Sequence, residues 1–168
     1  MKVFLKLLLL CSMMAVSVSA TDSYQFNVDK GSVIVSYTKL DAPYELTYTL
    51  PKECSDTKVE VNKKSKRITV SHTGKTCHTG AHFTLKLKRN ISADVVLNAG
   101  AISLEEPQDL FSKVSRIHAK ALAGNVSSDS NKLKIKRINY FAGAEGRYQG
   151  QSGKPSLSLL VKAGAISL

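Results

Sequence analysis

Tryptophan is absent from the 168 residues, and only five phenylalanines and six tyrosines occur. So few rings cannot interleave with the lysines as a platform for stacked bases, which argues against nucleic acid as the partner. Beyond residue 20 no apolar run reaches eighteen residues, so no membrane-spanning helix is encoded there. Catalytic signatures are missing as well. Gly150-Gln151-Ser152-Gly153-Lys154 lacks the second glycine of a nucleophile elbow. Pro155 follows Gly153-Lys154, and Tyr148 stands where a phosphate-binding loop needs its first glycine. Carboxylates are scattered apart from Glu105-Glu106, and neighbours on a strand point to opposite faces, a poor acid–base pair. The expectation is a protein without enzymatic activity and without a cofactor.

Histidine is scarce too, with four in all, but His72, His78 and His82 fall close together beside Cys77. In strand geometry His78 and His82 lie about 13 Å apart. A structural zinc site wants four ligands of recognisable spacing. No metal is therefore expected, and the three histidines read as exposed turn residues.

Three cysteines occur, one of them Cys11 in the leader. The amino terminus, Met1-Lys2-Val3-Phe4-Leu5-Lys6, is short and basic, and the apolar run Leu7 to Val16 follows it. Val18-Ser19-Ala20 supplies small residues suited to cleavage before Thr21, so residues 1–20 read as a secretory signal peptide. The expected location is exported: periplasmic, cell-surface or secreted. In an oxidising compartment the remaining pair, Cys54 and Cys77, is expected to form a disulfide. Closing that loop stabilises the fold by about 3 kcal/mol on the chain-entropy model.

What is abundant is one short repeat. Ala99-Gly100-Ala101-Ile102-Ser103-Leu104 returns unchanged as Ala163-Gly164-Ala165-Ile166-Ser167-Leu168, with weaker copies at Ala123-Gly124 and Ala142-Gly143. A period near twenty is the mark of stacked coils. Counting back from each glycine, positions −5, −3 and −1 are apolar or aromatic throughout, for example Val95, Leu97 and Ala99. That period of two belongs to a strand with one face buried. After the glycine the parity changes, to Ile102 and Leu104 or Ile166 and Leu168, which predicts a bend at the glycine. Gly31, preceded by Phe26 and Val28, reads as a degenerate first copy. The competing reading is a β-sandwich whose hairpins share an Ala-Gly start.

Residues 21–90 contain β-rich runs at 33–37, 44–50, 58–61, 67–71 and 82–87, separated by turn residues. Residues 91–168 carry the repeat and belong to the same domain. One short helix is expected at 107–114, with Leu110, Phe111 and Val114 on its apolar face. The fold expected is all-β: a single-domain β-solenoid, a stack like a parallel β-helix, whose irregular N-terminal strand region is stapled by the disulfide. Phe83 to Leu87, leading through Asp94 to Leu104, resembles the bacterial putative-adhesin domains of the β-solenoid type. Their pattern is loosely paired strands followed by Ala-Gly rungs about every twenty residues. The likeness covers roughly residues 24–168. It implies an exported, adhesin-like protein and brings no catalytic residues with it.

Charge supplies the functional expectation. The chain holds 24 basic and 13 acidic residues, and only Lys2 and Lys6 of the basic ones belong to the leader. Lys86, Lys88 and Arg89 form one cluster, and Lys132, Lys134, Lys136 and Arg137 form another. Alternation with Leu85 and Leu87, or Leu133 and Ile135, places each lysine set on one outward face, with the apolar residues inward. Such stripes attract polyanions and also block edge pairing, and both readings stand. The function expected is non-enzymatic binding of an anionic envelope or host polymer or glycan. The alternative is a structural solenoid that self-assembles. Because Leu168 ends on the repeat itself, the C-terminal rung reads as an open edge for self-association.

Overall fold

A computed structural model describes residues 22–74, 79–139 and 142–168. The expected leader, residues 1–20, lies outside the described residues, as do Cys77 and His78. Ten strands form one sheet that does not close: β1 (Ser23–Thr38), β2 (Tyr44–Thr49), β3 (Thr57–Lys64), β4 (Arg67–Gly74), β5 (Ala81–Lys88), β6 (Ser92–Leu104), β7 (Arg116–Ser127), β8 (Lys134–Asn139), β9 (Gly143–Gln149) and β10 (Ser156–Ser167). A 3₁₀ turn, Lys52–Cys54, precedes β3, and helix α1 (Pro107–Lys113) joins β6 to β7. Among the described residues the fold is all-β apart from that helix.

The centre of the sheet is a parallel stack. β6 lies beside β1, β10 beside β6 and β7 beside β10. On the other flank of β1, β4 pairs with its first half and β5 with its second, so together they make a further layer. In every long strand the buried positions change parity at the glycine. In β6, Ala93, Val95 and Leu97 are buried before Gly100, and Ile102 and Leu104 after it. The same switch occurs at Gly31, Gly124 and Gly164, whose φ angles run from 128° to 143°. Gly31 pairs with Gly100, Gly100 with Gly164, and Gly164 with Gly124, so the corners form one line across the stack. At Gly100 no other residue fits, because an added Cβ would sit 1.8 Å from the Gly31 carbonyl oxygen. The sheet thus folds along the glycine line, and both halves turn their apolar face to one core running from Phe26 to Leu168. Each fully buried Phe26, Leu97, Ile102 or Leu159 contributes about 1.5–3 kcal/mol. Helix α1 inserts Leu110 and Phe111 into that core, as the spacing predicts, with Val114 just beyond it buried too.

Several expectations are corrected. The layers do not follow chain order, as the coils of a solenoid do: the last strand, β10, is inserted between β6 and β7. β10 is therefore paired on both flanks, and the C-terminal rung offers no open backbone edge to a second copy. Ala142-Gly143 is not a rung, since β9 runs antiparallel to β7 and β8. The Ala142 carbonyl instead accepts the Gly124 N–H at 2.6 Å and ends the glycine line. The alanines one residue before each corner, Ala99, Ala123 and Ala163, are exposed, because the buried alternation ends two residues earlier, at Leu97, Ala121 and Val161. Antiparallel strands close both ends of the stack, β2 and β3 on one side and β9 with β8 on the other.

Candidate anion-binding groove

The two lysine clusters occupy different ends of the sheet. β5 and β8 stand six strand spacings apart, or about 29 Å measured along the sheet. At the β5 end Lys86 and Lys88 are half-buried and occupied: Lys86 lies 4.0 Å from Glu45, and Lys88 donates to the Asp41 carbonyl at 3.2 Å. Arg89 is exposed in the following turn. At the β8 end Lys132, Lys134, Lys136 and Arg137 are all exposed. The inward partners expected between them divide. Leu133 is buried, whereas Ile135 is 43% exposed, because β8 is an outermost strand with little of the core beneath it.

β8 also stops short. Its first pair with β9 is Lys134 with Arg147, so Tyr148 and Gln149, and Arg116 and Ile117 of β7, have no third strand beyond them. A groove of about 510 Å³ opens at this notch, lined by residues of β7 and β9 and by Lys132 and Lys134. Across the three strands His118, Arg147 and Lys134 stand directly opposite one another. Arg147 and Lys134 carry like charges, which so placed destabilise a sheet unless an anion lies among them. One such anion is built in. Glu145 Oε1 accepts from Arg147 Nε at 2.7 Å and from His118 Nε2 at 2.7 Å, and its Oε2 lies 3.2 Å from Lys136 Nζ. Burial alone would push this carboxyl up, but the hydrogen bonds from Arg147, His118 and Lys136 outweigh it and hold the pKa down to about 2. Arg116, Lys132, Lys134 and Arg147 thus line one groove, Glu145 beside it is bonded by Arg147, His118 and Lys136, and among the described residues neither Arg116 nor Lys134 has an ion-pair partner.

Tyr148 forms part of the groove wall and is locked. Its hydroxyl donates to the Phe111 carbonyl at 2.7 Å, and its ring meets Phe111 edge-on at 4.7 Å. Lys132 Nζ lies 6.0 Å from the centre of the Phe111 ring.

Arg116, His118, Arg147 and Tyr148 escape the reading of linear charge clusters, because β7 and β9, with β8 between them in the chain, are brought together only by their antiparallel pairing. Their alternation, Arg116-Ile117-His118 and Glu145-Gly146-Arg147, was the available signal. His72 corrects the expectation of exposed histidines. Its side chain is 3% exposed, its Nδ1 pairs with Asp29, and its Nε2 accepts the Ala81 N–H at 3.3 Å, which ties β4 to β5. His82 is exposed and bonds Ser32. Cys54 is buried at the end of its 3₁₀ turn, with Sγ 3.6 Å from Thr79 Oγ1. Its expected partner Cys77 lies outside the described residues. Among the described residues no three His, Cys, Asp or Glu side chains converge as metal ligands, and no helix is long and apolar enough to cross a membrane.

Fold and site define an all-β protein with a folded parallel sheet and a basic groove at one end. No protein-family model and no curated protein matches the chain. Among solved structures it is similar to one described as a putative cell adhesion protein from Clostridium sporogenes. That likeness has 10% identity and a TM-score of 0.36, over 88% of this chain and 92% of that one.

Proposed function

We propose that this is an exported, non-enzymatic, adhesin-like binding protein that presents a basic face to an anionic envelope or host polymer. The observation that carries the reading is the β8-end groove, which Arg116, Lys132, Lys134 and Arg147 line, while the neighbouring carboxylate, Glu145, is already bonded by Arg147, His118 and Lys136. The leader at 1–20 supports export, and with it an oxidising compartment for Cys54 and Cys77. The alternative of a self-assembling solenoid loses its motivation, because β10 is interior and the outermost strand β8 carries Lys134, Lys136 and Arg137 as charges against edge pairing. Replacing Lys132, Lys134 and Lys136 by glutamine should lower the salt needed to elute the folded protein from immobilised heparin. An unchanged elution position refutes the β8-end face as the binding surface.

A further inference from the structure

We propose that the notch between β7, β9 and Lys132–Lys134 binds acid-bearing sugar units of an acidic polysaccharide, with Arg116, Lys134 and Arg147 on the acid groups and Tyr148 against the sugar ring. This rests on the polyanion reading above and narrows it to one site and one ligand chemistry.

Three observations carry it. First, the groove volume of about 510 Å³ falls in the range of about 300–1,000 Å³ typical of sites for single ligands, so this is a concave site and not a flat charged face. Second, the cations are of two kinds. Arg147 is held in a fixed fork by Glu145, and Arg116 and Lys134 have no ion-pair partner among the described residues. A carboxylate or sulfate can therefore be met by a preorganised guanidinium and by cations it need not strip from a neighbour. Third, the wall holds a single immobilised tyrosine. A ring whose hydroxyl and edge are already fixed adds contact area at little entropic cost. A nucleic-acid groove would repeat aromatic rings along the strand direction for successive bases. Here one ring borders a cluster of cations, which suits a chain of alternating apolar sugar faces and acid groups.

The test uses the leader-cleaved protein and four probes of similar charge: a heparin oligosaccharide carrying sulfates, an oligogalacturonate carrying carboxylates, linear polyphosphate and oligo-dT. We expect at least one of the two saccharides to bind more tightly than polyphosphate or oligo-dT, and the stronger saccharide identifies the acid group. The double variant Arg116→Gln/Lys134→Gln breaks no ion pair of the fold and should weaken saccharide binding about tenfold or more. It should also reduce the slope of log affinity against log salt by about two, one for each cation. Tyr148→Leu should weaken saccharide binding about fivefold with less than a twofold change for polyphosphate, whereas Tyr148→Phe keeps the ring and the binding. Circular dichroism of each variant separates loss of binding from loss of fold. Polyphosphate binding equal to that of both saccharides, or a Tyr148→Leu effect equal for all probes, overturns the saccharide assignment. Binding that survives Arg116→Gln/Lys134→Gln but is lost in Lys86→Gln/Lys88→Gln/Arg89→Gln overturns the location and leaves the polyanion reading standing. Binding to none of the four probes refutes the polyanion reading itself.

Discussion

Glu145 sits on a strand face that otherwise carries solvated charge, and it is nonetheless only 6% exposed, because Arg147, His118 and Lys136 close over it. The fold prefers its ionised form, since those hydrogen bonds hold the folded-state pKa at about 2 against an ordinary 4.5. A depressed folded pKa contributes stability that is complete above the unfolded value and is lost as the pH falls through the folded one. The native protein should therefore lose stability between about pH 4.5 and pH 2 more steeply than Glu145→Gln does, measured as urea midpoints across that window. At neutral pH the variant should be weaker by about 1 kcal/mol, a modest figure because Arg147 and Lys136 remain largely in water. Parallel pH curves for the two proteins would mean that the carboxylate is not held by its cations.

At the scale of the element, β8 shows how an edge strand differs from the alternation its sequence spells. Lys132-Leu133-Lys134-Ile135-Lys136 reads as one wet and one dry face, yet only Leu133 reaches the core, where its side chain packs close to Gly146 and Val126. Leu133→Ala should cost about 2–3 kcal/mol, while Ile135→Lys should stay within about 0.5 kcal/mol of the native protein. Equal losses in thermal denaturation would place Ile135 in the core after all. The corners of β1, β6, β7 and β10 were legible because a parity change across a glycine has a single backbone explanation, and the helix because Leu110, Phe111 and Val114 share a face. The order of the layers was not. A period of two tells which face is buried but not which strand lies alongside, and the Ala-Gly pair that begins β9 looks the same as one that turns a corner. The groove was half legible for the same reason: Lys132 and Lys134 stand in a visible run, whereas Arg116, His118 and Arg147 join them only through the β7–β9 pairing. Cys54 shows what a local signal does give. It ends a 3₁₀ turn leading into β3, and its sulfur lies beside Thr79, two residues past Cys77. A Cys54–Cys77 bond would close the open end of the β3–β4 hairpin, where Thr57 pairs with Gly74, and mass spectrometry of alkylated, unreduced protein should find neither thiol free. Two alkylated cysteines would sink that assignment.

For the molecule as a whole, the decisive feature is that the end of the chain completes the middle of the sheet. β1 and β6 form one block, and β7, β8 and β9 another, and β10 is the layer between β6 and β7. Leu157, Leu159, Val161 and Ile166 of β10 are consequently interior, and Ile166 is 0% exposed. A lysine there would place an unpaired charge in the core, at a cost of about 4 kcal/mol or more, a large share of the roughly 5–15 kcal/mol that holds an ordinary domain folded. Ile166→Lys should therefore unfold the protein and not merely alter its association. Deleting residues 162–168 should act in the same way, because it leaves the second halves of β6 and β7 with no strand between them. Long-range parallel pairing that waits for β10 should also slow folding and make it depend on that strand. Circular dichroism and urea denaturation of the two variants distinguish the cases. A cooperative transition retained in either one would show that the two blocks are stable without the strand that joins them.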